Sequence, residues 1–317
     1  MKVLYIFAAF LIIFMGACKK QVLNPEVSLF KVAEDKNTQT ILALGQDTLL
    51  AGIGTLYTNG GMLYKSVDKG ENWQPIFNLS QAPMALSQHN NKLYTIAFGS
   101  EFYHSNSQDN DWGMIHLLGW GYWSDIAINN SGKAIAVGGL NFAEGYIQPI
   151  DLNTYNGHLP RATFQHELKA ITFVNDTIAI AVGYGTILRS ENAGESWQYL
   201  GYSGDFYRDI QMVNDNTIFI VGLYGSVLLS KDKGLSWKEI SKPNSLSPKN
   251  RFKKAYFYSE NLGWAAGDNG QLWQTNNGGK DWLSINTKTT YDFNDIIYQA
   301  PYLYLATDEG YVLRVTL

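Results

Sequence analysis

Four short stretches carry the residues best suited to chemistry: "SVDKGENW" at 66–73, "SENAGESW" at 190–197, "SKDKGLSW" at 230–237 and "TNNGGKDW" at 275–282. A hydroxyl and a carboxylate two residues apart are the raw material of a general acid or a metal ligand. Two features argue against both uses. Asn192 and Asn277 stand where Asp68 and Asp232 stand in the other copies, and an amide cannot replace a catalytic carboxylate. Nor does D-K-G supply the spaced oxygen ligands of a calcium loop. A turn tolerates the exchange, because Asp and Asn both accept backbone N–H bonds in an Asx turn. In that reading Ser66, Ser190, Ser230 and Thr275 add a second, weaker bond. Gly70, Gly194, Gly234 and Gly279 supply a positive φ, and Trp73, Trp197, Trp237 and Trp282 fold back onto the sheet.

Other candidates are thinner. Asp125, Asp209 and Asp295 recur at one repeat position, with Ala170 and Ala255 in other copies. Three such carboxylates suit a cation, a pairing with Lys169, Arg208 and Lys254 one residue earlier, or the capping of strand starts. Sialidase chemistry needs three converging arginines, and there are five in all, at 161, 189, 208, 251 and 314. Arg189 and Arg314 share a third-strand position with Lys65 and Gln274, which makes them peripheral. The five histidines show no metal-ligand spacing, and no P-loop, nucleophile elbow or dinucleotide fingerprint appears. No catalytic residue, metal or cofactor is expected.

The elements that hold these residues repeat. Trp73 to Trp112 is 39 residues, Trp112 to Trp197 is 85, Trp197 to Trp237 is 40 and Trp237 to Trp282 is 45. The 85-residue gap is two periods with an eroded copy at "DLNTYNG" (151–157); "SNSQDNDW" (105–112) is half-eroded. Within a unit such as 207–237, β-branched runs alternate with turn residues as strand, turn, strand "TIFIVG", turn "LYG", strand "SVLLS". Four short strands per period of about 40 residues describe a propeller blade. The span 37–317 holds seven units, and the last lacks an outer strand. "EVSLFKVAE" (26–34) can supply it and close the ring. The expectation is an all-β chain, a single seven-bladed β-propeller over 26–317 closed by an N-terminal strand.

Residues 1–17 read as a signal peptide: Lys2, then the apolar run 3–15, too short to span a bilayer as a stable helix. Gly16 and Ala17 before Cys18, the single cysteine, resemble the lipobox of bacterial lipoproteins, which makes Cys18 the acylated first residue of the mature chain. Residues 18–25 would then form a tether. Lys19 after the cysteine favours the outer membrane by resemblance to known sorting rules. The mature chain carries 23 Lys and Arg against 28 Asp and Glu, and no polybasic stretch. Nucleic acid is an unsuitable partner for that charge.

The repeated motif resembles the Asp box, or BNR repeat, of sialidases, sortilin-type receptors and xyloglucanases. The full unit, above all "LGWAAGDNGQLWQTNNGGKDW" (262–282), is most similar to the photosystem II stability/assembly factor family of lumenal seven-bladed propellers. The resemblance is weak over 84–165 and strong over 168–282. It implies a non-catalytic binding or assembly scaffold outside the cytoplasmic membrane. Loops between blades and between second and third strands gather on one face, which places Trp120, Tyr122, Trp123, Tyr184, Phe206, Tyr207, Arg208, Tyr224, Tyr291 and Phe293 there as a binding face. Two functions fit it: attachment to other envelope proteins, or binding or cleavage of glycans, since sugars also stack on such rings.

Overall fold

The computed structural model describes residues 22–105, 111–156, 162–201, 204–242 and 251–317, with only the backbone of 118–120. Seven antiparallel sheets follow one another along the chain. Blade 5 shows why. Its strands Tyr207–Met212, Ile218–Gly222, Val227–Ser230 and Lys238–Ser241 run in order from the axis to the rim. Ile218–Gly222 is buried at every position, as are Leu49–Gly54, Ala179–Gly183 and Gly263–Ala266 in blades 1, 4 and 6. A second strand is covered on both sheet faces by the neighbouring blades, so it reads as a continuous apolar run instead of an alternation. Rim strands are short and polar: Gln198–Tyr199 in blade 4 is exposed throughout.

The described core is divided into seven apolar clusters, each lying between two adjacent blades. Blade 4 meets blade 5 through Ile180, Val182, Ile210, Ile220 and Trp237, and blade 7 meets blade 1 through Tyr304, Val312, Ile41 and Leu49. The ring therefore has to be complete for any blade to bury both of its faces.

Closure uses the expected strand. Val27–Lys31 runs antiparallel to Tyr311–Thr316 as the outer strand of blade 7, in the register Val27↔Val315 to Lys31↔Tyr311. Part of the expected tether is docked: Val22–Leu23 adds a fifth, parallel strand to Leu283–Ile285 at the rim of blade 6. Asn286 N then donates to Leu23 O at 2.8 Å. Residues 1–21, including Cys18, lie outside the described residues.

Candidate functional site

The Asp boxes join the third and fourth strands on one face of the ring, and their hydrogen bonds are alike in four blades. In blade 1 the Ser66 hydroxyl donates to Asp68 Oδ1 at 2.7 Å and accepts from Gly70 N at 2.9 Å. Asp68 Oδ1 accepts from Asn72 N at 2.9 Å, and Trp73 Nε1 donates to Gly70 O at 2.9 Å. Ser190, Asn192 and Ser196 repeat the hydroxyl and Oδ1 bonds in blade 4, Ser230, Asp232 and Ser236 in blade 5, and Thr275, Asn277 and Asp281 in blade 6, and Trp197 and Trp282 repeat the indole bond. The backbone N–H and side-chain amide of Asn72 hold the Asp68 carboxyl down at about 2. A carboxylate so thoroughly used as an acceptor is a turn residue.

The box also clamps neighbouring blades together. Gly234 has φ 76°, and a Cβ there would lie 2.1 Å from Ile180 Cδ1 of blade 4, so glycine is required for conformation and for close approach. Arg189 Nε of blade 4 donates to Lys233 O in the box of blade 5 at 3.2 Å. Arg314 of blade 7 reaches Lys69 O and Glu71 in the box of blade 1 at 3.0 and 3.1 Å. These two arginines are ties between blades, far from any common carboxylate target.

The three inner-strand aspartates have the same kind of job. Asp125 Oδ2 accepts from Ile171 N of blade 4 at 2.9 Å, Asp209 Oδ2 from Ala255 N of blade 6 at 2.9 Å, and Asp295 Oδ2 from Ile41 N of blade 1 at 3.0 Å. Each thus ties the first strand of its blade to the first strand of the next. They line a central cavity of about 410 Å³ with Lys254, whose ammonium lies 3.6 Å from Asp209 Oδ1. Burial raises the Asp125 carboxyl to about 6 and pushes Asp209 up. Burial also works against the Lys254 charge, but Asp209, Asp125 and Asp295 outweigh it and hold the ammonium above its ordinary value. Among the described residues no group of three or more His, Cys, Asp or Glu side chains is placed to hold a metal.

The opposite face, made of inter-blade loops and turns between second and third strands, gathers aromatic rings into two clusters. Tyr57, Phe98 and Tyr122 meet at centroid distances of 4.9–5.9 Å. Phe142, Tyr184 and Phe206 meet at 5.4–5.5 Å. Tyr57 is 77% exposed, and Phe142 and Tyr184 are exposed as well. Two buried acidic residues, Glu167 and Asp205, fix the turns around the second cluster. Glu167 accepts from Phe142 N at 2.9 Å, its backbone carbonyl accepts from Tyr184 N at 2.9 Å, and Asp205 accepts from Tyr224 N and Ser226 N at 2.9 and 3.1 Å. The Arg208 guanidinium sits 5.0 Å from the Phe206 ring centroid. Tyr291 stacks on Tyr311 at 5.4 Å.

The face therefore differs from its sequence reading at four positions. Trp123 is 1% exposed, and Tyr207, Phe206 and Phe293 are buried too. Trp123, Tyr207 and Phe293 each open an innermost strand just before a register shift, at 123/125, 207/209 and 293/295, and the shift turns the ring into the seam between blades. Leu168 precedes the same shift in blade 4 and is equally buried, an aliphatic residue that marks the position as core. Phe206 forms the floor of its cluster. Tyr122, Tyr184, Arg208, Tyr224 and Tyr291 are on the face as expected; the side chain of Trp120 lies outside the described residues. The sequence reading missed Tyr57, Phe98 and Phe142, although "LYT" at 56–58 occupies the same turn as "LYG" at 223–225.

The family profile described as photosynthesis system II assembly factor YCF48 matches residues 37–274 and again 199–314. The chain belongs to that family. The YCF48-family ring also resembles solved propellers. A structure titled "YCF48 bound to D1 peptide" aligns at TM-score 0.71 and 14% identity, covering 94% of this chain and 98% of the other. YCF48 from Cyanidioschyzon merolae aligns at 0.65 and 13%, covering 92% and 98%. U3-55K, outside the family, aligns at 0.67 and 11%, covering 92% of this chain and all of the other. At these identities the likeness concerns the fold alone. No curated protein sequence matches this chain.

Proposed function

We propose that this YCF48-family propeller is a non-catalytic, lipid-anchored protein of the bacterial envelope that holds segments of other envelope proteins and so helps assemble or stabilise a membrane complex. The observation that carries the reading is the pair of ring clusters, Tyr57–Phe98–Tyr122 and Phe142–Tyr184–Phe206, which expose Tyr57, Phe142 and Tyr184 over buried Phe98 and Phe206, the second on turns held by Glu167 and Asp205. Rigid aromatics on a preorganised surface bind with little entropy loss and dominate protein interfaces. The structure titled "YCF48 bound to D1 peptide" supports the same class of ligand, a peptide, for a ring of this shape. The carboxylates that could have served catalysis are committed to backbone N–H groups instead. The lipobox-like Gly16-Ala17-Cys18 and the Lys19 that follows it support the anchor and an outer-membrane location.

A glycan is the second reading, favoured by a groove of about 310 Å³ at the rim of blade 4 where Phe164, Trp197 and Tyr199 stand beside Gln165, His166 and Thr186. Purification of the acylated protein from detergent extracts separates the two. One stoichiometric membrane-protein partner, lost when Tyr57 and Tyr184 become alanine, supports the proposal. Saturable binding on a glycan array with no protein partner overturns it.

A further inference from the structure

The two faces of the ring differ in what they expose, and the path of the N-terminal chain relates that difference to the membrane. Val22–Leu23 is parallel to Leu283–Ile285, a fourth strand that runs away from the Asp box of blade 6. Val22 therefore stands at the Asp-box end of its strand. Three residues separate Cys18 from Val22. Even fully extended, that link spans at most about 14 Å.

The Asp-box face around this point is apolar at its tips. Val67, in the box of blade 1, is 68% exposed, and Leu235, in the box of blade 5, is exposed too. Tyr258, on the first turn of blade 6, is likewise exposed. That turn lies on the same face, since Gly278 N of the box bonds to Asn261 O at 2.9 Å. Lys69 and Lys231 stand beside these tips, paired with Asp47 and Glu260. Blades 5 and 1 flank blades 6 and 7, the two that the N-terminal strands join. Apolar side chains held at such tips reach into the headgroup boundary, which interfacial apolar faces enter by about 5–10 Å.

We infer that the Asp-box face of blades 5, 6 and 1 rests on the lipid surface, which turns the aromatic loop face away from the membrane and toward its partner. The inference rests on the anchoring of Cys18 proposed above and adds its orientation. The lipid is bound through Val67, Leu235 and Tyr258 with little dependence on headgroup charge, because Lys69 and Lys231 have carboxylate partners and Lys233 and Lys280 are matched by Asp232 and Asp281 in their own boxes.

Hydroxyl-radical footprinting of the full chain on phosphatidylcholine vesicles tests it, with the same protein in detergent-free buffer as reference. Because Cys18 is the single cysteine, the mature chain coupled through it to a maleimide lipid provides a second sample whose anchoring does not depend on cellular acylation. Both samples should show several-fold slower oxidation at Val67, Leu235 and Tyr258, with Tyr57, Phe142 and Tyr184 unchanged. Protection of the loop-face residues, or of neither set, in the maleimide-coupled sample overturns the inference. An unmodified Cys18 in the mass spectrum of the cell-derived protein overturns the anchoring instead, while the coupled sample still reports the orientation.

Discussion

Asp209 and Ala255 belong to neighbouring blades, and the carboxylate of the first accepts the backbone N–H of the second at 2.9 Å. Removing that acceptor orphans a buried N–H and leaves the Lys254 ammonium with only Asp125 and Asp295 to balance it. Asp209→Ala should cost about 1–3 kcal/mol for the orphaned donor. Chemical denaturation of the two proteins measures it, and the loss should far exceed that for an exposed acid such as Asp215.

The Asp-box assignment predicts opposite outcomes for two residues of one motif. Asn192 Nδ2 donates to Ser196 Oγ at 2.9 Å where Asp232 accepts from Ser236 Oγ at 2.5 Å, so the amide fits the same turn. Asp232→Asn should therefore melt within a degree or so of the parent, as near-neutral surface changes do. Trp237→Ala empties a buried ring site in the seam between blades 4 and 5, and should destabilise by about 3–5 kcal/mol.

Asp125 gives a pH signature. Burial raises its carboxyl from 3.8 to about 6 in the folded ring, so between those values the folded state binds more protons than the unfolded one. Stability contributed by this group therefore falls as pH rises through that window. Asp205, Asp209 and Asp308 are also raised and add to the same slope. In Asp125→Asn the melting temperature relative to the parent should climb from pH 4 to pH 7 and level off above. A difference that stays constant with pH contradicts the assigned ionisation.

Much of this architecture was legible in the sequence, because a propeller repeats its punctuation. The Trp spacing counted blades, the Asn-for-Asp exchange at 192 and 277 marked the box as a turn, and the segment 26–34 was found as the closing strand. The binding face was legible only in part. Trp123 and Tyr207 look like loop aromatics beside Tyr122 and Phe206, and only the register shift in the innermost strand sends them into the seam. Glu167 and Asp205 gave no signal at all, since their role depends on turns brought close by the ring.

Anchoring has a direct test. Cys18→Ser removes the proposed acyl acceptor, and the precursor should remain uncleaved or the protein should appear in the soluble fraction. A processed variant chain, cleaved before residue 18, that persists in the membrane fraction after a high-salt wash contradicts the lipobox reading.

The claim that most needs measurement is that the loop face, and not the Asp box, receives a protein segment. Benzoylphenylalanine placed in living cells at Tyr57, Phe142 or Tyr184 should give one and the same protease-sensitive adduct from all three positions on irradiation. The adduct from position 184 should disappear when Phe142→Ala is added, with the melting temperature nearly unchanged, because Phe142 is exposed and only lines the cluster. Adducts that form instead from Asp232 or Asn277, with none from the three loop-face positions, would contradict the account.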